Sequence, residues 1–267
     1  MSHLNRRLKT VLTRAITDAG KLLRRSIHRI RRIDVKSDDG LSLVTEVDKR
    51  SEAQIIRAIK KSFPDHAILA EESAPQGQSP YKWIIDPIDG TTNYAHTFPA
   101  ACVSIACEKD GRIELGGVLD PFRREFFFAE RGRGAFLNGK PIRTSKVKSL
   151  SESLLVTGFP YDRKIHASYY LKIYGAFMTR CHGIRRTGSA ALDLCYIASG
   201  RFDGFWEMKL SPWDTAAASL IVLEAGGRLS DFKGGPYSVY DPQILATNGR
   251  IHREMLAILR PFLRKKT

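Results

Sequence analysis

The sequence predicts an α+β architecture up to about residue 150 and an α/β architecture after it, within one unit covering residues 1–267. Three observations carry this prediction. Two apolar runs, 101–108 and 112–119, are joined through Asp110-Gly111, a strong hairpin signal. Two N-terminal stretches repeat apolar residues at steps of three and four, the spacing of amphipathic helices. Beyond residue 150, helix-like and strand-like segments alternate. No internal repeat or low-complexity linker divides the chain.

The first helix gathers Leu4, Leu8, Val11, Leu12, Ala15, Ile16, Ala19, Leu22 and Leu23 on one stripe. Arg6, Arg7, Arg14, Lys21, Arg24 and Arg25 fall mostly off it. A loop is expected at 36–40. Thr45 or Asp48 then opens a second helix over 48–62, faced by Ala53, Ile55, Ile56 and Ile59 and ended by Pro64. Residues 67–70, 83–85 and 125–129 read as strands, and Gly132, Gly134, Asn138 and Gly139 mark turns. The C-terminal half reads as strand 154–157, helices 166–179 and 189–199, strand 202–207 and helix 213–225. Strands 227–231 and 244–247 follow, then a closing helix 250–263 with Asn248 as its cap.

Composition narrows the class. Of 267 residues, 43% are hydrophobic and 27% charged, which excludes a wholly disordered or collagen-like chain. No apolar run reaches the ~18 residues of a membrane span, and no apolar block precedes a small-residue cleavage site. No membrane association and a cytoplasmic setting are therefore expected. Cys102, Cys107, Cys181 and Cys195 match no zinc or Cys-x-x-Cys spacing and read as buried thiols. The net charge is +15, and residues 1–36 carry eleven Lys and Arg against Asp18 and Asp34, a net of +9. Such a balance suits nucleic acid or phosphorylated partners, and equally a solvated basic face.

The densest chemical signal is Trp83-Ile-Ile-Asp-Pro-Ile-Asp-Gly-Thr-Thr-Asn93. A buried strand ends in Asp86, Pro87 stiffens the backbone, and Asp89 follows before Gly90 permits a tight turn. Thr91-Thr92-Asn93 can then begin a helix. Paired carboxylates at a strand end are costly unless neutralised, so a cation suits them. Amides after Gly90 would point at an anion such as phosphate. The competing reading is a turn with an aspartate cap. Glu71-Glu72 follows another strand and Asp214 opens a helix; taken singly, these also read as a solvated loop and a helix-dipole partner. No paired His suited to zinc, no Gly-x-Ser-x-Gly elbow and no Walker A loop is present.

Together with Leu43-Val-Thr-Glu-Val-Asp48, Ala70-Glu-Glu-Ser73, Arg186-Thr-Gly-Ser-Ala190, Pro212-Trp-Asp214 and Glu224-Ala-Gly-Gly227, this segment resembles the inositol monophosphatase family. That family lies within the lithium-sensitive, magnesium-dependent phosphomonoesterases. The resemblance spans most of the chain and implies a layered αβαβα sandwich, of the type shared with fructose-1,6-bisphosphatase. It implies two or three Mg2+ per site. Glu71, Asp86 and the carbonyl of Ile88 would hold the first ion, and Asp86, Asp89 and Asp214 the second. Glu71 would reach a third through water. Gly90 and Thr91 match phosphate-binding amides. Thr91 and Asp48 match the pair that orients and deprotonates water, with Glu71 beside them as a catalytic group. Asp89, Gly188, Ser189, Ala190, Glu207 and Asp214 would border the substrate, and Lys36 would lie near the metals.

Thr92-Asn93 after Asp-Gly-Thr looks like inositol monophosphatase itself, where relatives acting on 3′-phosphoadenosine 5′-phosphate show Lys and histidinol-phosphate phosphatases often Arg. The expected activity is hydrolysis of a small phosphorylated polyol by a homodimer. Fructose-1,6-bisphosphatase and histidinol-phosphatase activities stand as alternatives. Some bacterial members take part in ribosomal RNA transcription complexes. A binding role with incidental phosphatase activity is therefore the alternative from another class, with RNA or a transcription complex meeting the basic N-terminal segment.

Overall fold

Leu8, Leu12, Ala15, Ile16, Ala19 and Leu23 are all buried, and this stripe folds α1 (His3–Ser26) onto the body of the protein. The computed structural model describes residues 3–30, 32–36 and 40–263. Positions 37–39 of the expected loop lie outside the described residues. On either side of it the chain forms a small antiparallel pair that the sequence reading missed, β1 (Ile33–Val35) and β2 (Leu43–Thr45). Thr45 and Asp48 open α2 (Glu46–Ser62) together: the Thr45 amide donates to Asp48 Oδ2 at 2.8 Å, and Thr45 Oγ1 accepts from the Val47 amide at 3.1 Å.

A seven-stranded sheet follows in chain order: β3 (Ala67–Ala70), β4 (Tyr81–Asp89), β5 (Cys102–Lys109), β6 (Arg112–Asp120), β7 (Glu125–Glu130), β8 (Ala135–Leu137) and β9 (Lys140–Pro141). Its pairings are antiparallel except β3 with β4, which is parallel. The segment expected to hold only turns thus also supplies two short strands, β8 and the edge strand β9. Strand β4 does not end at Asp86. It runs on to Asp89 through a register shift opposite Ser104 and Cys102, and the short α3 (Thr91–Ala95) follows.

The second sheet has five strands: β10 (Leu154–Thr157), β11 (Gly183–Arg185), β12 (Gly204–Met208), β13 (Arg228–Ser230) and β14 (Gln243–Thr247). Their spatial order is β11-β10-β12-β14-β13. Strand β10 runs parallel to both its neighbours, and the other pairs are antiparallel. Helices α4 (Arg163–Met178), α5 (Ala190–Ala198), α6 (Pro212–Glu224) and α7 (His252–Leu259) complete the chain. The closing helix is α-helical only to Leu259 and tightens to 310 geometry over Arg260–Leu263. Asn248 is not its N-cap. It sits one turn earlier, where its Oδ1 accepts from the Arg250 and Ile251 amides, and Ile251 takes the cap position.

Packing makes five layers, αβαβα, as expected. Helices α1 and α2 cover the outer face of the large sheet. Helices α5 and α6 fill the space between the sheets, and α4 and α7 cover the outer face of the small one. Every residue of α5 from Ala190 to Ala198 is buried, as is α6 from Thr215 to Val222. Burial of each large side chain there stabilises the fold by roughly 1.5–3 kcal/mol. Cys102, Cys107 and Cys195 are buried thiols, whereas Cys181 is half-buried. No helix among the described residues is long and apolar enough to cross a membrane.

Candidate active site

The end of β4 delivers the first carboxylates. Pro87 has no amide to donate, so the strand bulges there, and the Ile88 amide turns back to Asp86 Oδ1 at 3.0 Å. Gly90 adopts φ +94, and a Cβ there would press on the Ala100 carbonyl, so only glycine makes this turn. Asp214 comes from the first turn of α6, where the Ser211 amide donates to its Oδ2 at 2.6 Å. One carboxylate oxygen from each of Asp86, Asp89 and Asp214 lies within 4.8 Å of the other two.

Asp89 is clamped by the start of α5. Its Oδ2 accepts from Ser189 Oγ at 2.6 Å and the Ala191 amide at 2.7 Å, and Cys102 Sγ lies 3.8 Å away. Glu71 stands to one side of the three. Lys36 Nζ donates to its Oε1 at 2.8 Å and also bonds Glu72.

Behind this cluster, Thr91 Oγ1 lies 3.1 Å from Asp48 Oδ1 and 2.8 Å from the Ile88 carbonyl. A hydroxyl has one proton for these two acceptors, which leaves its lone pairs free for an incoming donor. Asp48 Oδ2 accepts from the Thr45 amide and hydroxyl. Asp48 is fully buried and does not border the cleft itself, reaching it only through Thr91.

The cleft has a volume of about 350 Å³ and brings together Lys36, Glu71, Asp86, Ile88, Asp89, Gly90, Thr91, Gly188, Ser189, Ala190, Glu207 and Asp214. Each sequence-nominated residue except Asp48 therefore lines one cavity. Sequence reasoning missed Gly158, Tyr161, Asp193 and Lys209, which share the lining. Asp193 carried a signal, being the lone acid in an otherwise apolar helix. Gly158, Tyr161 and Lys209 stand in segments with no motif. Asn93 ties the two walls together, its Nδ2 donating to the Ala100 and Thr187 carbonyls at 2.8 Å each.

Burial raises every carboxyl in the cluster. Asp86 is pushed well above the usual range by desolvation and then by Glu71, Asp89 and Asp214, and Asp214 by desolvation and then Asp89. Asp89 is raised by burial against the pull of Ser189 and the α5 amides. Asp48 is pushed up to about 6, chiefly by burial, against its bonds from Thr45. Glu207 is pushed up to about 8 by burial, moderated by Arg186. Such groups hold protons in the folded state that the unfolded chain has released, so their contribution to stability is greatest below the unfolded carboxyl range and is lost as pH rises through the folded values. In chelator, the melting temperature is expected to fall between about pH 5 and about pH 8, and a saturating divalent cation to restore it most at the upper end. A chelated protein that grows steadily more stable across that window contradicts this electrostatic picture.

Comparison with known proteins gives the class: the layered architecture and acid-lined cleft are those of a phosphatase family. The chain belongs to the inositol monophosphatase family, whose model matches residues 4–264. It is 46% identical over 259 residues to the Nus factor SuhB of Pseudomonas aeruginosa, covering 95% of this chain and 96% of that protein. It is also 46% identical to the inositol-1-monophosphatase of Synechocystis, covering 92% of this chain and 86% of the relative. Among solved structures, the extragenic suppressor protein suhB of Bartonella henselae superposes with a TM-score of 0.90 at 36% identity, covering 97% of this chain and 99% of that one. The inositol monophosphatase of Anabaena superposes with a TM-score of 0.87 at 40% identity, covering 97% of each chain.

Proposed function

We propose that the chain hydrolyses a monophosphate of inositol, or a closely similar polyol, to the free alcohol and phosphate with magnesium as cofactor. The observation that carries this reading is the cluster of Asp86, Asp89 and Asp214, the first two buried and the third half-buried, mutually repelling and open to one cleft. Its donor set is oxygen alone, which suits a hard cation and not zinc or copper. Asp86, Asp89 and Asp214 would hold one ion, and Asp86, Glu71 and the Ile88 carbonyl another, with a third reached through Glu71. Bound there, magnesium supplies charge neutralisation for the phosphoryl group and a lowered pKa for water.

The chain's own residues do the rest. Thr91 orients the attacking water, and Asp48, buried behind it, takes the proton through the Thr91 hydroxyl. The Gly90 and Thr91 amides face the phosphate. Gly188, Ser189, Ala190 and Glu207 border the alcohol, Glu207 accepting hydrogen bonds from its hydroxyls when ionised. The homodimer and cytoplasmic setting expected from the sequence belong to the same reading.

Phosphate release from inositol 1-phosphate, fructose 1,6-bisphosphate, histidinol phosphate and 3′-phosphoadenosine 5′-phosphate tests it. Inositol 1-phosphate is expected to be the preferred substrate, with chelator stopping the reaction and lithium inhibiting where sodium does not. Undiminished release in chelator overturns the metal assignment, and preference for another substrate overturns the polyol assignment.

A second reading rests on the cationic outer face of α1, where Arg6, Arg7, Lys9, Arg14, Lys21, Arg24 and Arg25 are exposed. Similar proteins carry the name Nus factor. On this reading the face binds RNA or a transcription complex. RNA binding that weakens with salt and survives Asp89→Asn favours it, and absence of binding at low salt removes it.

A further inference from the structure

We infer that Gly158 is a positioning residue: the missing side chain seats the Glu207 carboxylate against the cleft wall and so sets which alcohols are accepted. The inference rests on the phosphatase reading above and deepens it. Gly158 directly follows β10, and its φ lies outside the left-handed region, so the backbone does not require glycine. What requires it is space. A Cβ built on Gly158 would lie well inside 3.0 Å of both carboxylate oxygens and the Cδ of Glu207. The glycine is a socket filled by the tip of that side chain.

The walls of the socket cannot separate to make room. Thr157 pairs with Trp206 in the parallel register of β10 and β12, and Thr157 Oγ1 donates to the Trp206 carbonyl at 2.6 Å. Thr157 is 1% exposed and Glu207 8%. Among the described residues no donor hydrogen-bonds the Glu207 carboxylate, and Arg186 acts on it only as a charge of opposite sign. Shape, then, and not a hydrogen bond, holds the group where it is. A methyl at residue 158 must turn the carboxylate out into the cleft, where the substrate alcohol is proposed to sit. Displacements of about 1 Å in a positioned group can cost ~10²-fold.

The test is the pair Gly158→Ala and Glu207→Ala, alone and combined, assayed in magnesium on inositol 1-phosphate and on p-nitrophenyl phosphate, whose leaving group has no ring hydroxyls. Gly158→Ala is expected to raise KM for inositol 1-phosphate about tenfold or more, with kcat and the rate on p-nitrophenyl phosphate changed by less than about threefold. In the Glu207→Ala background, which removes the clash, Gly158→Ala is expected to change nothing further. Melting temperatures give a readout independent of activity: Gly158→Ala should lower stability only when Glu207 is present. If the single variant fails to fold and the double variant folds, the seating is supported. Equal losses on both substrates, or the same loss with and without Glu207, overturn it. If the unsubstituted protein hydrolyses neither substrate, the phosphatase reading is what fails, and the melting temperatures alone decide the seating.

Discussion

Asp89→Asn is expected to reduce phosphate release by ~10³-fold or more, because a metal's share of transition-state stabilisation is several kcal/mol. Asparagine keeps the shape of the side chain, and its oxygen can still accept from Ser189 Oγ and the Ala191 amide. What it loses is the negative charge facing Asp86 and Asp214. In the metal-free protein that charge is a liability, since Asp89 helps to raise both neighbours. The variant in chelator should therefore melt no lower than the unsubstituted protein in chelator. The stabilisation that magnesium confers should shrink. Near-normal turnover at saturating magnesium removes Asp89 from the metal site. Lost activity together with a large drop in chelated stability would instead assign Asp89 to folding.

Thr91→Ala should separate proton handling from cation binding. The substitution deletes the hydroxyl between Asp48 Oδ1 and the Ile88 carbonyl and leaves the three clustered carboxylates untouched. Loss of a positioned proton-transfer group costs ~10²–10⁴-fold, and a fall in kcat of that order is expected. Asp48 keeps both its bonds from Thr45, so the fold should lose only about 1 kcal/mol. Because the Thr91 hydroxyl also bonds the Ile88 carbonyl, calorimetric titration should give magnesium affinity weakened by no more than ~10–100-fold, and saturating magnesium should not restore the rate. Recovery of full rate at high magnesium would show that Thr91 serves the metal and not the proton.

Local chemistry made much of this legible from the residues. Apolar spacing in α1 and α2 has one dominant period, and Asp110-Gly111 admits a hairpin and little else. The carboxylates were visible because Asp86 and Asp89 flank Pro87 in a short motif. The features that escaped depend on partners far along the chain. Strands β1 and β11 are each three residues long, too short to show a period, and exist through pairing. Lys36 meets Glu71 across 35 positions, Ser189 meets Asp89 across 100, and Glu207 meets Gly158 by packing alone. Burial of Asp48 behind Thr91 likewise belongs to the assembled layers. Asn248 misled because the side chain that can cap a helix also closes an Asx turn just before one.

The placement of α5 and α6 between the two sheets governs how the protein can fail. Asp214 and the amide that grips Asp89 sit on helices with no solvent-facing side along most of their length. Detaching them means breaking the core that both sheets share, an excursion near the cost of global unfolding. Deuterium should accordingly enter the amides of Ala191 and Thr215 at rates close to those of the slowest in the molecule. Heat inactivation and loss of tertiary structure then become a single event, and a compact but catalytically dead intermediate has no structural basis. Redesign for a new substrate meets the same constraint: changes at Tyr161, Arg186 or Lys209 touch only the rim, whereas a change to the backbone or volume of α5 or α6 at the metal end also disturbs the core that both sheets share.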